Sequence, residues 1–126
     1  MNPPRVLIVD DNPLNVEMAT HLLADDGMEV AAVFEAADVL AQVASFVPDL
    51  VLMDMQLPGV DGLTLTRQLR QQPAARPMVI VAFTAFAMHG DREKFLAAGC
   101  DGYIAKPIDV ATFATQVRTL LLARAP

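Results

Sequence analysis

Short apolar runs alternate with amphipathic segments along almost the whole chain, and Gly or Pro stands at most of the joins. This pattern indicates buried strands separated by helices. It predicts five strands, near Arg5–Asp10, Glu29–Val33, Leu50–Asp54, Met78–Thr84 and Gly102–Ala105. It also predicts five helices, near Pro13–Asp25, Ala36–Phe46, Gly62–Gln71, His89–Ala97 and Asp109–Arg124.

Several of the predicted joins carry their own local signals. Asn12, followed directly by proline, is typical of an N-cap with proline at the first helical position. Gly27 and Gly99 stand where the first and fourth helices should stop. Gly59 and Gly62 are expected to serve turn geometry.

The alternation of strands and helices favours one fold class. Strands that are apolar on both faces indicate a parallel sheet covered by helices on both sides, with right-handed crossovers. We therefore expect a flavodoxin-like (βα)5 doubly wound α/β fold, with a five-stranded parallel sheet in the order 2-1-3-4-5. No repeat or linker interrupts the pattern, so residues 1–126 are expected to form a single domain.

Four of the predicted strands end on polar side chains that the apolar runs do not explain. These are Asp10 and Asp11 after the first strand, Asp54 in the third, Thr84 in the fourth and Lys106 after the fifth. The carboxyl ends of parallel strands share one edge of the sheet, and ligands bind there at the point where strand order reverses. The five side chains should therefore converge, with the three aspartates as neighbours.

This set of side chains suggests a particular chemistry. Three neighbouring carboxylates do not all stay ionised without a cation, and an all-oxygen ligand set suits Mg²⁺. A metal, a lysine and a hydroxyl around a buried carboxylate are typical of a phosphoryl-transfer site. In such a site Asp54 would attack phosphorus while the cations neutralise the phosphoryl oxygens.

Four motifs surround these strand ends, in order over nearly the whole chain. They are Val9-Asp-Asp-Asn-Pro-Leu-Asn15, Leu52-Met-Asp-Met-Gln-Leu-Pro-Gly-Val-Asp-Gly62, Phe83-Thr-Ala85 and Gly99-Cys-Asp-Gly-Tyr-Ile-Ala-Lys-Pro107. With these motifs the chain resembles the response-regulator receiver domains of two-component signalling. It is most similar to stand-alone receivers and to those of hybrid histidine kinases.

The resemblance implies a phosphoacceptor and a metal site. Asp54 would accept a phosphoryl group from the phosphohistidine of a histidine kinase or a histidine phosphotransfer protein. Mg²⁺ would be held by Asp11, Asp54 and the backbone carbonyl of Gln56, with Asp10 acting largely through water. The domain would not be a classical enzyme, since its chemistry would be limited to its own phosphorylation and slow autodephosphorylation.

The resemblance also implies how the phosphoryl group would be held and sensed. Lys106 and Thr84 would contact its oxygens together with the backbone amides of Met55 and Ala85, and a cis bond would precede the proline after Lys106. On phosphorylation Thr84 would move toward the phosphate and the ring of Tyr103 would swing inward. The reshaped surface of helix four, strand five and helix five would then control a downstream protein or an output domain.

Composition limits the partners and the compartment. The formal net charge of −6 argues against direct binding of nucleic acid, which needs clustered Lys and Arg. A single cysteine excludes an internal disulfide and fits a reducing compartment. No apolar run is long enough for a signal peptide or for membrane insertion. We expect a cytoplasmic protein, and the motifs favour a monomer.

Two alternatives remain at the level of sequence. The chain could be a receiver-like docking module that acts without phosphorylation, although such a module would usually lack one of Asp11, Asp54 or Lys106. Tyr103 could be a partly buried strand aromatic with no switching role.

A flavin carrier is disfavoured because Asp10 and Asp11 would repel the flavin phosphate. A haloacid-dehalogenase-type phosphatase is disfavoured because the first strand is not followed by Asp-x-Asp-x-Thr.

Overall fold

The strands and helices form in the predicted order in a computed structural model that describes residues 2–72, 78–85 and 91–123. The strands of this part of the chain are β1 Arg5–Val9, β2 Glu29–Val33, β3 Leu50–Asp54, β4 Val79–Thr84 and β5 Gly102–Ala105. Its α-helices are α1 Pro13–Asp25, α2 Val39–Phe46, α3 Gly62–Arg70, α4 Asp91–Ala98 and α5 Phe113–Leu122. The strands pair in parallel in the order β2-β1-β3-β4-β5, so the predicted flavodoxin-like fold is confirmed.

The predicted start of the last helix is wrong. The chain makes a turn at Asp109, whose side chain accepts a hydrogen bond from the amide of Ala111 at 3.0 Å, and α5 begins only at Phe113. Asp favours such local turns over a helix because its carboxylate competes for backbone donors. The predicted start of the fourth helix at His89 and the end of the last at Arg124 lie outside the described residues.

The second helix also differs from its prediction. A single 3₁₀ turn, Ala36–Asp38, precedes the α-helix proper, which starts at Val39. The predicted span is therefore helical throughout, but its first turn has the tighter geometry that is common at helix starts. The remaining predicted boundaries in the described residues lie within one residue of those observed.

The predicted helix signals are confirmed where the structure describes them. The Asn12 side chain accepts the amide of Leu14 at 2.9 Å, and Pro13 occupies the first helical position of α1. Gly27 and Gly99 follow α1 and α4 with φ of +87° and +114°, values that favour glycine. The cis bond implied by the family resemblance is also present, between Lys106 and Pro107.

The sheet is covered on both faces by apolar side chains. One cluster packs the sheet against α1 and α5 and includes Ile8, Leu52 and Phe113. The other packs it against α2, α3 and α4 and includes Val51 and Phe95. Because both faces are filled, the polar side chains at the strand ends can gather only at the carboxyl edge of the sheet. Among the described residues, no helix is long and apolar enough to cross a membrane.

Candidate functional site

The polar residues predicted from the strand ends meet at the carboxyl edge of the sheet. Val9 pairs with Met53, so Asp10 follows β1 at the level where Asp54 ends β3. On the other side of β3, Asp54 pairs with Phe83. This edge is the point where strand order reverses, since β1 connects to β2 on one side and pairs with β3 on the other.

The three aspartates form one cluster. Asp10, Asp11 and Asp54 each offer a carboxylate oxygen, and these oxygens lie within 4.8 Å of one another. Asp10 is fully buried and Asp54 is 3% exposed, whereas Asp11 is exposed. The cluster is therefore closed toward the protein interior and open to solvent at Asp11.

Each buried carboxylate is held by the loop that follows it. Asp10 Oδ1 accepts the amide of Asn12, and Asp54 Oδ1 accepts the amide of Gln56, both at 2.9 Å. These bonds fix one oxygen of each carboxylate, and the other oxygen, Oδ2, lies near Lys106. The Gln56 peptide is thereby set beside Asp54, although a role for its carbonyl as a metal ligand stays a prediction.

Lys106 supplies the positive charge of the site. Its Nζ lies 2.8 Å from Asp10 Oδ2 and 3.6 Å from Asp54 Oδ2, and its side chain is 14% exposed. The amine also lies 4.9 Å from the centroid of the Phe83 ring. One ammonium group cannot balance three carboxylates, so the site retains an excess of negative charge.

Burial and the neighbouring charges together shift the pKa of Asp54. Burial raises the pKa of the Asp54 carboxyl, while the Gln56 amide and the Lys106 ammonium lower it and the charges of Asp10 and Asp11 raise it again. The net pKa lies above the ordinary value of 3.8. The site therefore disfavours the charged form of Asp54 until more positive charge is added.

This raised pKa predicts a specific dependence of stability on pH. Between 3.8 and the raised pKa, the folded protein holds a proton on Asp54 that the unfolded chain has released. The contribution of Asp54 to stability should therefore fall as the pH rises through that window, and added Mg²⁺ should abolish the fall. Urea unfolding of wild-type protein and Asp54→Asn over this pH range would measure the contribution of Asp54. A difference in the free energy of unfolding between the two proteins that does not change with pH would contradict the prediction.

The donor set of the cluster fits Mg²⁺. All the side-chain ligands are carboxylate oxygens, which a hard divalent cation prefers. Asp10 Oδ2 is buried and has no hydrogen-bond partner among the described residues, so the nearby amine contacts it as an ion pair only. A cation at the cluster would give this oxygen a second charged partner beside Lys106 and would add the positive charge that the site lacks.

Thr84 and Tyr103 lie on the same face of the sheet. Ile80 and Ala82 belong to the apolar cluster under α4, and Thr84 continues this alternation at the end of β4. Tyr103 pairs with Ala82, two residues before Thr84, so its ring projects to the same face. Thr84 is 1% exposed and Tyr103 is 38% exposed. The structure thus makes them diagonal neighbours, while their coupling stays a prediction.

The backbone groups predicted to hold phosphate lie directly after two strand ends. Met55 follows Asp54 and is half-buried, and Ala85 follows Thr84 and is exposed. Both amides are therefore at the edge of the sheet where the charged side chains meet. Their contact with a phosphoryl group remains a prediction.

Gly62 has a role that the sequence analysis missed. Gly59 does serve a turn, with φ of +75°, but Gly62 is the first residue of α3. A Cβ at Gly62 would lie 2.7 Å from Met55 Cα and 3.2 Å from the Asp54 carbonyl oxygen. Only glycine lets α3 start this close to the end of β3. Glycine at the start of an amphipathic helix, where it is a poor helix former, was the available signal.

Comparison with known proteins identifies the family. A family model described as response regulator receiver domain matches residues 6–118. The polar-differentiation response regulator DivK of Brucella anthropi is 39% identical over 119 residues, which cover 94% of this chain and 97% of that protein.

Solved structures agree with this assignment. A putative response regulator from Chloroflexus aurantiacus superposes with a TM-score of 0.87 at 31% identity, covering 96% of this chain and 99% of that one. The chemotaxis response regulator CheY4 of Vibrio cholerae has a TM-score of 0.87 at 24% identity, covering 94% of this chain and 99% of that one, and supports the fold alone. On its sequence, fold and family match, this chain belongs to the response regulator receiver domain family of two-component signalling.

Proposed function

We propose that this receiver domain is a phosphorylation-operated switch in which Asp54 accepts a phosphoryl group from a histidine kinase or a histidine phosphotransfer protein. The observation that carries the proposal is the environment of Asp54, a buried carboxylate beside a partly buried lysine and two further aspartates. A carboxylate placed this way for structural reasons alone would lower the stability of the fold, since its charge is desolvated by burial and is repelled by the charges of Asp10 and Asp11.

In the proposed reaction an oxygen of Asp54 attacks the phosphorus of a phosphohistidine. A phosphorus–oxygen bond forms, the phosphorus–nitrogen bond breaks, and the imidazole nitrogen leaves with the electron pair and takes up a proton. The Gln56 amide, 2.9 Å from Asp54 Oδ1, holds the carboxylate in one orientation for this attack. Burial of Asp54 limits its hydration, which favours attack on phosphorus.

Mg²⁺ would be held by Asp11, Asp54 and the Gln56 carbonyl, with Asp10 contributing through water. When bound, it supplies charge that neutralises the phosphoryl oxygens. The residues of the chain provide the site itself, since the buried Asp10 Oδ2 fixes one side of the cluster and the exposed Asp11 leaves the other side open to solvent.

Lys106 would grip the phosphoryl group after transfer. Its Nζ is nearer to Asp10 than to Asp54, at 2.8 Å against 3.6 Å, and new phosphoryl oxygens on Asp54 would compete for it. The Thr84 hydroxyl and the amides of Met55 and Ala85 would bind the remaining oxygens. These donors come from the ends of β3, β4 and β5, so they would draw the three strand ends around the new charge.

The signal would then reach the surface through Tyr103. Thr84 moves toward the phosphoryl group, and the ring of its diagonal neighbour turns inward into the space that Thr84 leaves. This change alters the surface formed by α4, β5 and α5, which we propose controls a downstream protein or an output domain. Phosphorylation therefore acts as a population shift between outward and inward positions of the ring.

The test of this function is the intact mass of the protein after incubation with acetyl phosphate. With Mg²⁺ we expect one phosphoryl adduct, mapped by peptide analysis to residues 50–62, and with EDTA we expect none. A histidine-kinase donor should give the same adduct faster. An adduct elsewhere, or one that forms equally well in EDTA, would contradict the assignment. Failure of both donors together with failure to bind beryllofluoride would favour the phosphorylation-independent docking module.

A further inference from the structure

The ring of Tyr103 is covered by a cation from the neighbouring helix. The guanidinium carbon of Arg92, in the first turn of α4, lies 5.9 Å from the centroid of the ring. This distance is within the roughly 6 Å over which a cation and an aromatic face attract each other. Tyr103 is 38% exposed and β5 is an edge strand, so the contact lies at the surface of the protein.

The neighbours of Tyr103 on the same face of β4 are small side chains. The partner of Tyr103 on β4 is Ala82, which is fully buried and carries only a methyl group. Thr84, two residues later on the same face, is the next side chain toward the phosphorylation site. An inward position of the ring would therefore displace little volume, and packing on β4 does not by itself hold the ring outside.

We propose that Arg92 is a positioning residue that holds the Tyr103 ring at the surface and so sets how much phosphorylation is needed to turn it inward. This inference rests on the proposed switch at Asp54. Because an inward turn would move the ring toward Ala82 and Thr84 while Arg92 is exposed at the surface, the cation–π contact would be lost in the inward state. Arg92 thus stabilises the outward state selectively, which is the condition for shifting the equilibrium between the two states.

The size of the effect follows from the strength of the contact. An exposed cation–π contact is worth about 0.5–1 kcal/mol, which converts to about a two- to fivefold change in the ratio of the two states. If the inward state is the minor one, destabilising the outward state raises the population of the inward state. The apparent affinity for a phosphoryl mimic, which favours the inward state, then rises by the same factor. Removing Arg92 should therefore lower the half-saturating concentration of the mimic about two- to fivefold.

The chain offers a direct probe of this ring. Tyr103 is the only tyrosine and there is no tryptophan, so tyrosine emission and its quenching by acrylamide report this one side chain. The full chain would be titrated with beryllofluoride in the presence of Mg²⁺. The variants are Arg92→Gln, the conservative Arg92→Lys, and Lys94→Gln as a matched control that removes a positive charge from the same helix.

For Arg92→Gln we expect the half-saturating concentration to fall about two- to fivefold, with Arg92→Lys between it and wild type. Lys94→Gln should behave as wild type, and a shift there equal to that of Arg92→Gln would mean that charge alone is responsible. If wild type responds but the half-saturating concentration is unchanged in Arg92→Gln, the inference is overturned. If wild-type Tyr103 does not respond although Asp54 is phosphorylated, the inference fails and the phosphoacceptor assignment stands.

Discussion

Asp54→Asn is expected to abolish phosphoryl uptake while leaving the fold intact. Asparagine keeps an oxygen that can accept the Gln56 amide, so the loop after β3 should be preserved. Its amide is not a nucleophile, and the rate of phosphorylation by acetyl phosphate should fall by at least about 10³-fold, a lower bound since removing an enzyme's nucleophile can cost about 10⁶-fold. Intact-mass measurement over time, with Mg²⁺ present, would give both rates.

The same substitution should stabilise the protein when Mg²⁺ is absent. It removes a desolvated charge and its repulsion with Asp10 and Asp11, which are the forces that raise the pKa of Asp54. Above that pKa, urea unfolding should show Asp54→Asn to be more stable than wild type. Mg²⁺ should reverse part of this difference, because it binds the folded wild-type site more tightly.

A matched control lies at the end of the loop that follows β3. Asp61 caps α3, its Oδ1 accepting the Leu63 amide at 3.0 Å, and it is exposed. Asn is as good an N-cap as Asp, so Asp61→Asn makes the same chemical change without touching the cluster. It should be phosphorylated at the wild-type rate. Uptake by Asp54→Asn at the wild-type rate, or loss of uptake in Asp61→Asn, would show that the acceptor is misassigned.

Much of the fold could be predicted because its signals are local and repeated. Strands that are apolar on both faces, such as Leu50–Asp54, leave little choice other than a parallel sheet covered on both sides. The strand order then follows from connection rules, and it brings Asp10 and Asp54 to one edge without any knowledge of side-chain contacts. The convergence of the aspartates and Lys106 was predictable for the same reason, since polar residues at the ends of buried runs are conspicuous.

The features that were missed depend on contacts between distant parts of the chain or on competition within a turn. Asp109 could have capped a helix directly, but its carboxylate and carbonyl instead hold a turn, and α5 begins at Phe113. Gly62 could have been a turn residue, and only its approach to Met55 reveals why no side chain fits. The Arg92 contact depends on how α4 lies over β5, which periodicity does not specify.

The distribution of charge links the structure to the switch. Two buried carboxylates share one partly buried ammonium, and the closer of the two contacts is with Asp10 rather than with the proposed acceptor. The lysine is thus held mainly by Asp10, and Mg²⁺ bound at the proposed site would partly replace it there. Mg²⁺ would neutralise the Asp10 carboxylate when Lys106 leaves it for the phosphoryl oxygens. Metal binding and movement of Lys106 toward the phosphoryl group would therefore favour each other.

Lys106→Ala is therefore expected to separate metal binding from switching. Without Mg²⁺ the variant leaves buried carboxylates with no cation, and the free energy of unfolding should fall by about 3 kcal/mol, as when one partner of a buried pair is removed. Added Mg²⁺ should recover most of this loss, and calorimetry should show Mg²⁺ affinity equal to or above that of wild type. The emission of Tyr103 should no longer respond to beryllofluoride, because the grip on the phosphoryl oxygens is lost.

The exposed lysine of α4 provides the control for this variant. Lys94→Ala makes the same substitution away from the cluster and should leave stability, Mg²⁺ affinity and the Tyr103 response at wild-type values. If Lys106→Ala loses Mg²⁺ affinity but keeps a normal Tyr103 response, the lysine belongs to the metal site and not to the switch. Retention of both properties would mean that Lys106 only balances charge, and that the donors from Thr84, Met55 and Ala85 suffice to turn the ring.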